Sequence, residues 1–194
     1  MKLIQIATPI CIALLGSLAT FEAEAVDGTI TINGQVTDAS CTVKALEGFT
    51  AVGAPNASPT VALPKISTNQ LPIVTATTGD TPFTIDSNCT SAGTTPTIAH
   101  VSTYFDPTSV GVNSAGRLTP TGTGAAGWDI QITDVNHNVI NLYAGSGSQN
   151  VPVVNLVTPV PSDTQQTFFA RYYRTGAITP GAATAGLGFV QVYQ

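Results

Sequence analysis

Charge is scarce in this chain. Only 9% of its 194 residues are Asp, Glu, Lys or Arg, and six basic side chains against eleven acidic ones leave a formal net charge of −5. No cluster of Lys and Arg exists to neutralise a row of phosphates, which excludes a nucleic-acid-binding surface. Two histidines, one tryptophan and one methionine complete a short inventory of chemically active groups. Apolar residues at helical spacing are nearly absent, so a bundle is excluded as well. Disorder is a poor account of the low charge, because the chain is rich in Val, Ile and Thr, which favour strands.

Long apolar runs are missing everywhere except at the start. Lys2 is followed by the run 3–19, and Ala23-Glu24-Ala25 has the small-x-small form of a cleavage site. A membrane anchor needs roughly 20 apolar residues, whereas this run has a shorter apolar core and then meets Glu22 and Glu24. Residues 1–25 are therefore expected to be a signal peptide, leaving one domain's worth of chain.

Cysteine is equally sparse. Cys11 leaves with the signal peptide, so only Cys41 and Cys89 remain in the exported protein. Two thiols in an oxidising compartment are expected to pair, the alternative being two separate buried thiols. A bridge closing a loop of roughly fifty residues removes about 4 kcal/mol of denatured-state entropy in the simple chain model. No CxxC spacing points to redox catalysis.

What the chain does contain is period-two alternation. The clearest case is 29–37, where Ile30, Ile32, Gly34 and Val36 share one face and Thr, Asn and Gln the other. Further strands are predicted at 82–87, 97–104, 128–134, 139–143, 151–156, 167–173 and 187–193. Gly79-Asp80, 134–138, Gly145-Ser146-Gly147, 159–162 and Thr179-Pro180-Gly181 carry turn chemistry. The stretch 46–60 is predicted to be a long surface loop. Eight or more short strands in one domain indicate a sandwich or barrel.

Both ends of the exported chain carry more specific marks. The run Gly28-Thr-Ile-Thr-Ile-Asn-Gly-Gln-Val-Thr-Asp-Ala-Ser-Cys41-Thr-Val43 resembles the N-terminal extension, first strand and first cysteine of the chaperone-usher pilins, close to the type 1 fimbrial group. Phe169-Ala-Arg-Tyr-Tyr173, then Gly181 fourteenth from the C-terminus, and Phe189-Val-Gln-Val-Tyr193-Gln194 resemble the last two strands of the same family. Trp128-Asp-Ile-Gln-Ile-Thr-Asp134 is similar to a central strand. The loop after Lys44 is longer than the family's, and polar Gln191 interrupts the Leu187, Phe189, Tyr193 face while Val190 and Val192 occupy the other.

The resemblance implies an all-β, immunoglobulin-like sandwich that lacks its final strand and is completed by a donor strand from another subunit or a chaperone. It divides the chain into residues 1–25 as signal, 26–37 as donor extension and 38–194 as pilin domain. The implied partners are neighbouring copies of the subunit, a periplasmic chaperone and an outer-membrane usher, with any host receptor unknown. The implied location is the cell-surface fimbrium.

A donor segment must be extended, offer apolar side chains every second residue and stay free before assembly. Ile30, Ile32 and Val36 meet those needs, each with roughly 1.5 to 3 kcal/mol on full burial. Gly34 marks either a shallow pocket or a bulge in an ordinary first strand. In cis, the same segment would be the protein's own edge strand; its place at the mature terminus favours donation in trans. Gln194 carries the carboxylate that the family's chaperone anchors, and Gly181, Phe189 and Tyr193 belong to the same C-terminal signature. Phe189 reads equally as ordinary core.

Catalytic and metal-binding patterns do not emerge. His100 and His137 lack ligand spacing. Asp134-x-Asn136-x-Asn138 starts like a calcium loop, but Val139 and Gly145 stand where glycine and glutamate are needed. Gly145-Ser146-Gly147-Ser148 has no nucleophile-elbow context, and Arg171 and Arg174 read as surface charges. No cofactor and no enzymatic activity are expected. The rival to a shaft subunit is a carbohydrate-binding adhesin or minor tip-associated subunit. Adhesins of the family carry an extra lectin domain and lack the extension that begins here at once.

Overall fold

A computed structural model of the chain describes residues 40–48, 60–90, 99–122, 124–156 and 162–193. Seven strands run through them: β1 (Ser40–Glu47), β2 (Thr77–Thr90), β3 (His100–Phe105), β4 (Ala126–Asp134), β5 (Val154–Asn155), β6 (Ser162–Thr179) and β7 (Phe189–Tyr193). They form two antiparallel sheets, β1-β2-β6-β4 and β5-β3-β7. The one helical element among the described residues is a single 3-10 turn, Thr68–Gln70.

Alternation builds the core. In β3 the residues Val101, Thr103 and Phe105 are buried while His100, Ser102 and Tyr104 are partly exposed. Phe168 of β6 lies between Phe83 of β2 and Phe105 of β3, with ring centroids 5.6 and 5.2 Å away, so its rings join the two sheets. Ile85, Ile132, Ile140, Leu142, Leu118 and Ala170 fill the space around them. Such interleaving from two inner faces is how a sandwich excludes water.

Several sequence expectations need correction. Gly79-Asp80 does not turn the chain: both residues lie inside β2, where the register shifts between Thr78 and Thr81. Gly79 has φ +77°, and a Cβ there would come within 2.9 Å of the Tyr172 ring, so glycine makes a bulge at a close approach. The predicted strand 139–143 is a single bridge, Val139 to Thr133, followed by a turn. Its alternation is nevertheless real burial, because Ile140 and Leu142 are fully enclosed.

Two strands are longer than the apolar pattern suggested. β2 and β6 pair from Thr77 with Tyr173 to Cys89 with Ser162, through polar stretches whose Thr, Ser and Gln side chains are themselves buried. Of the predicted turn at 159–162, Ser162 already begins β6, and 159–161 lie outside the described residues. β1 occupies 40–47, so Leu46 and Glu47 belong to a strand and not to the long loop, of which 49–59 lie outside the described residues. A register shift between Val43 and Ala45 breaks β1's alternation, which is why periodicity missed it.

Candidate functional site

β7 is the last strand among the described residues and an edge of the three-stranded sheet. It pairs with β3 from Phe105↔Phe189 to Val101↔Tyr193 and, among the described residues, with no other strand. An edge of this kind presents a row of main-chain N–H and C=O groups to any extended segment that can align with it.

The side chains of β7 resolve the phase that polar Gln191 had obscured. Phe189 turns inward and packs on the core with Leu187 ahead of it, while Val190 points out and is 54% exposed. Gln191 shares the inward phase: its Nε2 donates to Thr103 Oγ1 (3.1 Å), Thr103 Oγ1 donates to Gln166 Oε1 (2.8 Å), and Gln166 Nε2 donates to the Pro152 carbonyl (3.0 Å). This polar chain runs through the interior from β7 across β3 to β6. Gln191 Oε1 is buried and accepts no hydrogen bond among the described residues.

Half-buried apolar side chains surround that core, among them Val61, Leu63, Val151, Ala185 and Leu187. Gln149, which the sequence reading missed, secures the end of β3: its side chain accepts from Phe105 N (3.0 Å) and donates to Phe105 O (2.6 Å), in the manner of a neighbouring strand. A lone buried glutamine in a turn-rich stretch offers no periodic signal by which to find it.

The other predicted residues fall at separate places. Cys41 and Cys89 form a disulfide directly across the β1–β2 ladder, and with Val101 they make a second small core backed by Val154 and Leu156. Gly181 packs against Ala125 ahead of β4, at a Cβ approach of 3.0 Å, and not beside β7. Tyr193 sits opposite Val101 in the register. Ile30, Ile32, Gly34, Val36 and Gln194 lie outside the described residues, as does the 1–25 segment.

Arg171 and Arg174 are not the bare surface charges expected. Arg171 is 15% exposed and places Nε and Nη2 on Gln131 Oε1 (3.0 and 2.8 Å). Arg174 donates from Nη1 to the carbonyls of Leu71 (2.8 Å) and Pro72 (2.7 Å) and from Nε to Gly176 O (2.8 Å). Their neighbours are polar groups brought across the sheet or from a distant segment, which no local pattern announces.

The Asp134 carboxylate is spent inside its own turn. Oδ1 accepts from the main-chain N–H groups of Asn136 and Asn138 (both 2.8 Å), and Oδ2 from Asn138 Nδ2 (2.9 Å). Burial pushes this carboxyl up, but the Asn138 side chain, the two main-chain N–H groups and His137 outweigh it and hold it below the usual carboxylate range. His100 bonds Asn155 Oδ1 (2.7 Å), and His137 stacks on Phe169. Among the described residues no three His, Cys, Asp or Glu side chains cluster as a metal site.

Comparison with known proteins agrees with this architecture. Residues 30–194 match the family described as "Fimbrial protein". The chain is 33% identical to the major fimbrial subunit SMF-1 of Stenotrophomonas maltophilia, over 90% of this chain and 97% of that one. It is 32% identical to the type-1 fimbrial protein A chain of Escherichia coli, over 86% and 83%. A solved chaperone-usher pilus subunit superposes on 86% of this chain and 95% of its own with a TM-score of 0.51, at 16% identity, and so shares the fold. The two antiparallel sheets are thus an immunoglobulin-like pilin sandwich, and the chain belongs to the fimbrial protein family, the structural subunits of bacterial fimbriae.

Proposed function

We propose that this subunit polymerises by strand donation, residues 26–37 of one copy lying along β7 of the next. The single observation that carries the reading is the edge of β7: a terminal strand paired only with β3 among the described residues, with half-buried Leu187 just ahead of it and the unspent Gln191 Oε1 on it. Main-chain pairing along that edge supplies register, and Ile30, Ile32 and Val36, at every second position, supply apolar burial. Gly34 in the same phase leaves room where the floor is close.

An open apolar edge is an aggregation hazard, so the same edge needs cover before assembly. A periplasmic chaperone lending a strand, followed by exchange at an outer-membrane usher, meets that need. It also accounts for a signal peptide at 1–25, for a disulfide formed during export and for delivery to the cell surface. Gly181, Phe189, Tyr193 and Gln194 are the C-terminal positions we assign to chaperone capture. Function then resides in protein–protein assembly and not in turnover.

Ile32→Asp tests the donor segment. A charge at an alternate position of a buried strand is expected to abolish SDS-resistant multimers, in the presence of chaperone and usher, while chaperone capture is retained. Unchanged multimers would remove residues 26–37 from the role.

A further inference from the structure

A second concave site lies away from the β7 edge, at the end of the four-stranded sheet. Trp128 of β4 and Tyr172 of β6 stand there with ring centroids 5.2 Å apart, edge to face, at the back of a half-open cleft of about 490 Å³. One wall is the segment 64–72, the other 178–183. That volume is within the range of sites that take small ligands.

Both walls are held in place. Tyr172 Oη donates to Pro64 O (3.1 Å) at one end of the first wall, and Arg174 Nη1 holds Leu71 O and Pro72 O at the other. Between them Ser67 caps the 3-10 turn, its N–H donating to Gln70 Oε1 (2.8 Å). The second wall is fixed by Gly181 on Ala125 and by the paired main-chain bonds of Thr121 and Thr184 (2.7 and 2.8 Å). A cleft whose walls are already ordered loses little entropy when it binds.

Lys65 and the Trp128 indole bring donors to the cleft, beside the hydroxyls of Ser67 and Thr68. Among the described residues Lys65 has no carboxylate within ion-pair distance and the Trp128 indole N–H has no acceptor, while Arg174, bound to the Leu71, Pro72 and Gly176 carbonyls, lines the adjoining hollow. Among the described residues no Asp or Glu lines the cleft, although acidic residues outnumber basic ones eleven to six in the chain. Aromatic rings suit the C–H face of a sugar, and unpaired N–H groups with one cation suit its oxygens and a carboxylate.

We infer that this cleft binds an acidic saccharide, a sugar ring stacked on the Trp128–Tyr172 pair with its carboxylate at Lys65. The site is independent of strand donation and would place a weak glycan contact on every subunit of a shaft. An acidic peptide fits the charge but not the ring platform.

Trp128 is the only tryptophan, so its emission reports the cleft directly. Assembled fimbriae would be titrated with N-acetylneuraminic acid, glucuronic acid and glucose. A saturable change with at least one acid, about tenfold weaker with glucose, is expected. Lys65→Gln should bring the acid down to the level of glucose, Lys65→Arg should restore it, and both should leave assembly intact by electron microscopy. No saturable change up to concentrations on the order of 10 mM overturns the inference. So does an unaltered response in Lys65→Gln, or displacement of the sugar by tetraglutamate at equal concentration. Loss of multimers in Ile32→Asp bears on strand donation alone.

Discussion

Gln191 Nε2 donates to Thr103 Oγ1 at 3.1 Å, joining the terminal strand to its only described partner through the interior as well as through the ladder. A polar side chain in the inward phase of an edge strand would ordinarily cost stability. Here the cost is offset because Thr103 passes the bond on to Gln166, and Gln166 to the Pro152 carbonyl.

Thr103→Val should therefore destabilise the subunit by about 1 to 3 kcal/mol, since Gln191 Nε2 and Gln166 Oε1 would both be left buried without their partner. Replacing Thr103 by Val together with Gln166 and Gln191 by Leu should cost less than the sum of the single changes, because none of the three side chains is left orphaned and only the Pro152 carbonyl, at an exposed residue, loses its donor. Urea denaturation of the purified chain measures both, and additive losses would show that the three groups are uncoupled.

Asp134 makes the stability of the hairpin after β4 depend on acid. Its carboxyl is depressed in the folded protein, so the contribution is fully present above the unfolded value of about 3.9 and is lost as pH falls through the lower folded value. Asp134→Asn should cost about 1 to 3 kcal/mol at neutral pH, because one amide oxygen replaces two carboxylate oxygens that accept three bonds. The gap between the two proteins should close below about pH 4. Thermal unfolding across that range checks the sign.

Gly79 answers to two constraints at once, a positive φ and the Tyr172 ring. Gly79→Val should destabilise by about 1 to 3 kcal/mol through left-handed strain in a β-branched residue, with the ring displaced as well. Since Tyr172 holds the Pro64 carbonyl, the same variant should loosen the 64–72 segment. Faster amide exchange at 64–72 than elsewhere in the domain is the expected signature.

Alternation and turn chemistry were enough to read the class of fold. Period two at 128–134 became part of β4, most of 187–193 became β7, and the Asp134 to Asn138 turn closed as written. These signals are local: a half-buried strand repeats every second residue whatever it pairs with. The pairing of Cys41 with Cys89 followed from count and export alone, with no knowledge of register.

By itself, then, the amino-acid order determined a low-charge, strand-rich domain with a disulfide and the marks of a fimbrial subunit at both ends. Only the tertiary structure decided that Gly79 is a bulge, that Gln191 points inward, that Gln149 secures β3 and that Arg171 and Arg174 hold other chain segments in place. Each of those outcomes depends on a partner dozens of residues away or on the twist of a neighbouring strand. A polar side chain's best position is set by the donors and acceptors that folding brings to it, and no short window of sequence contains them.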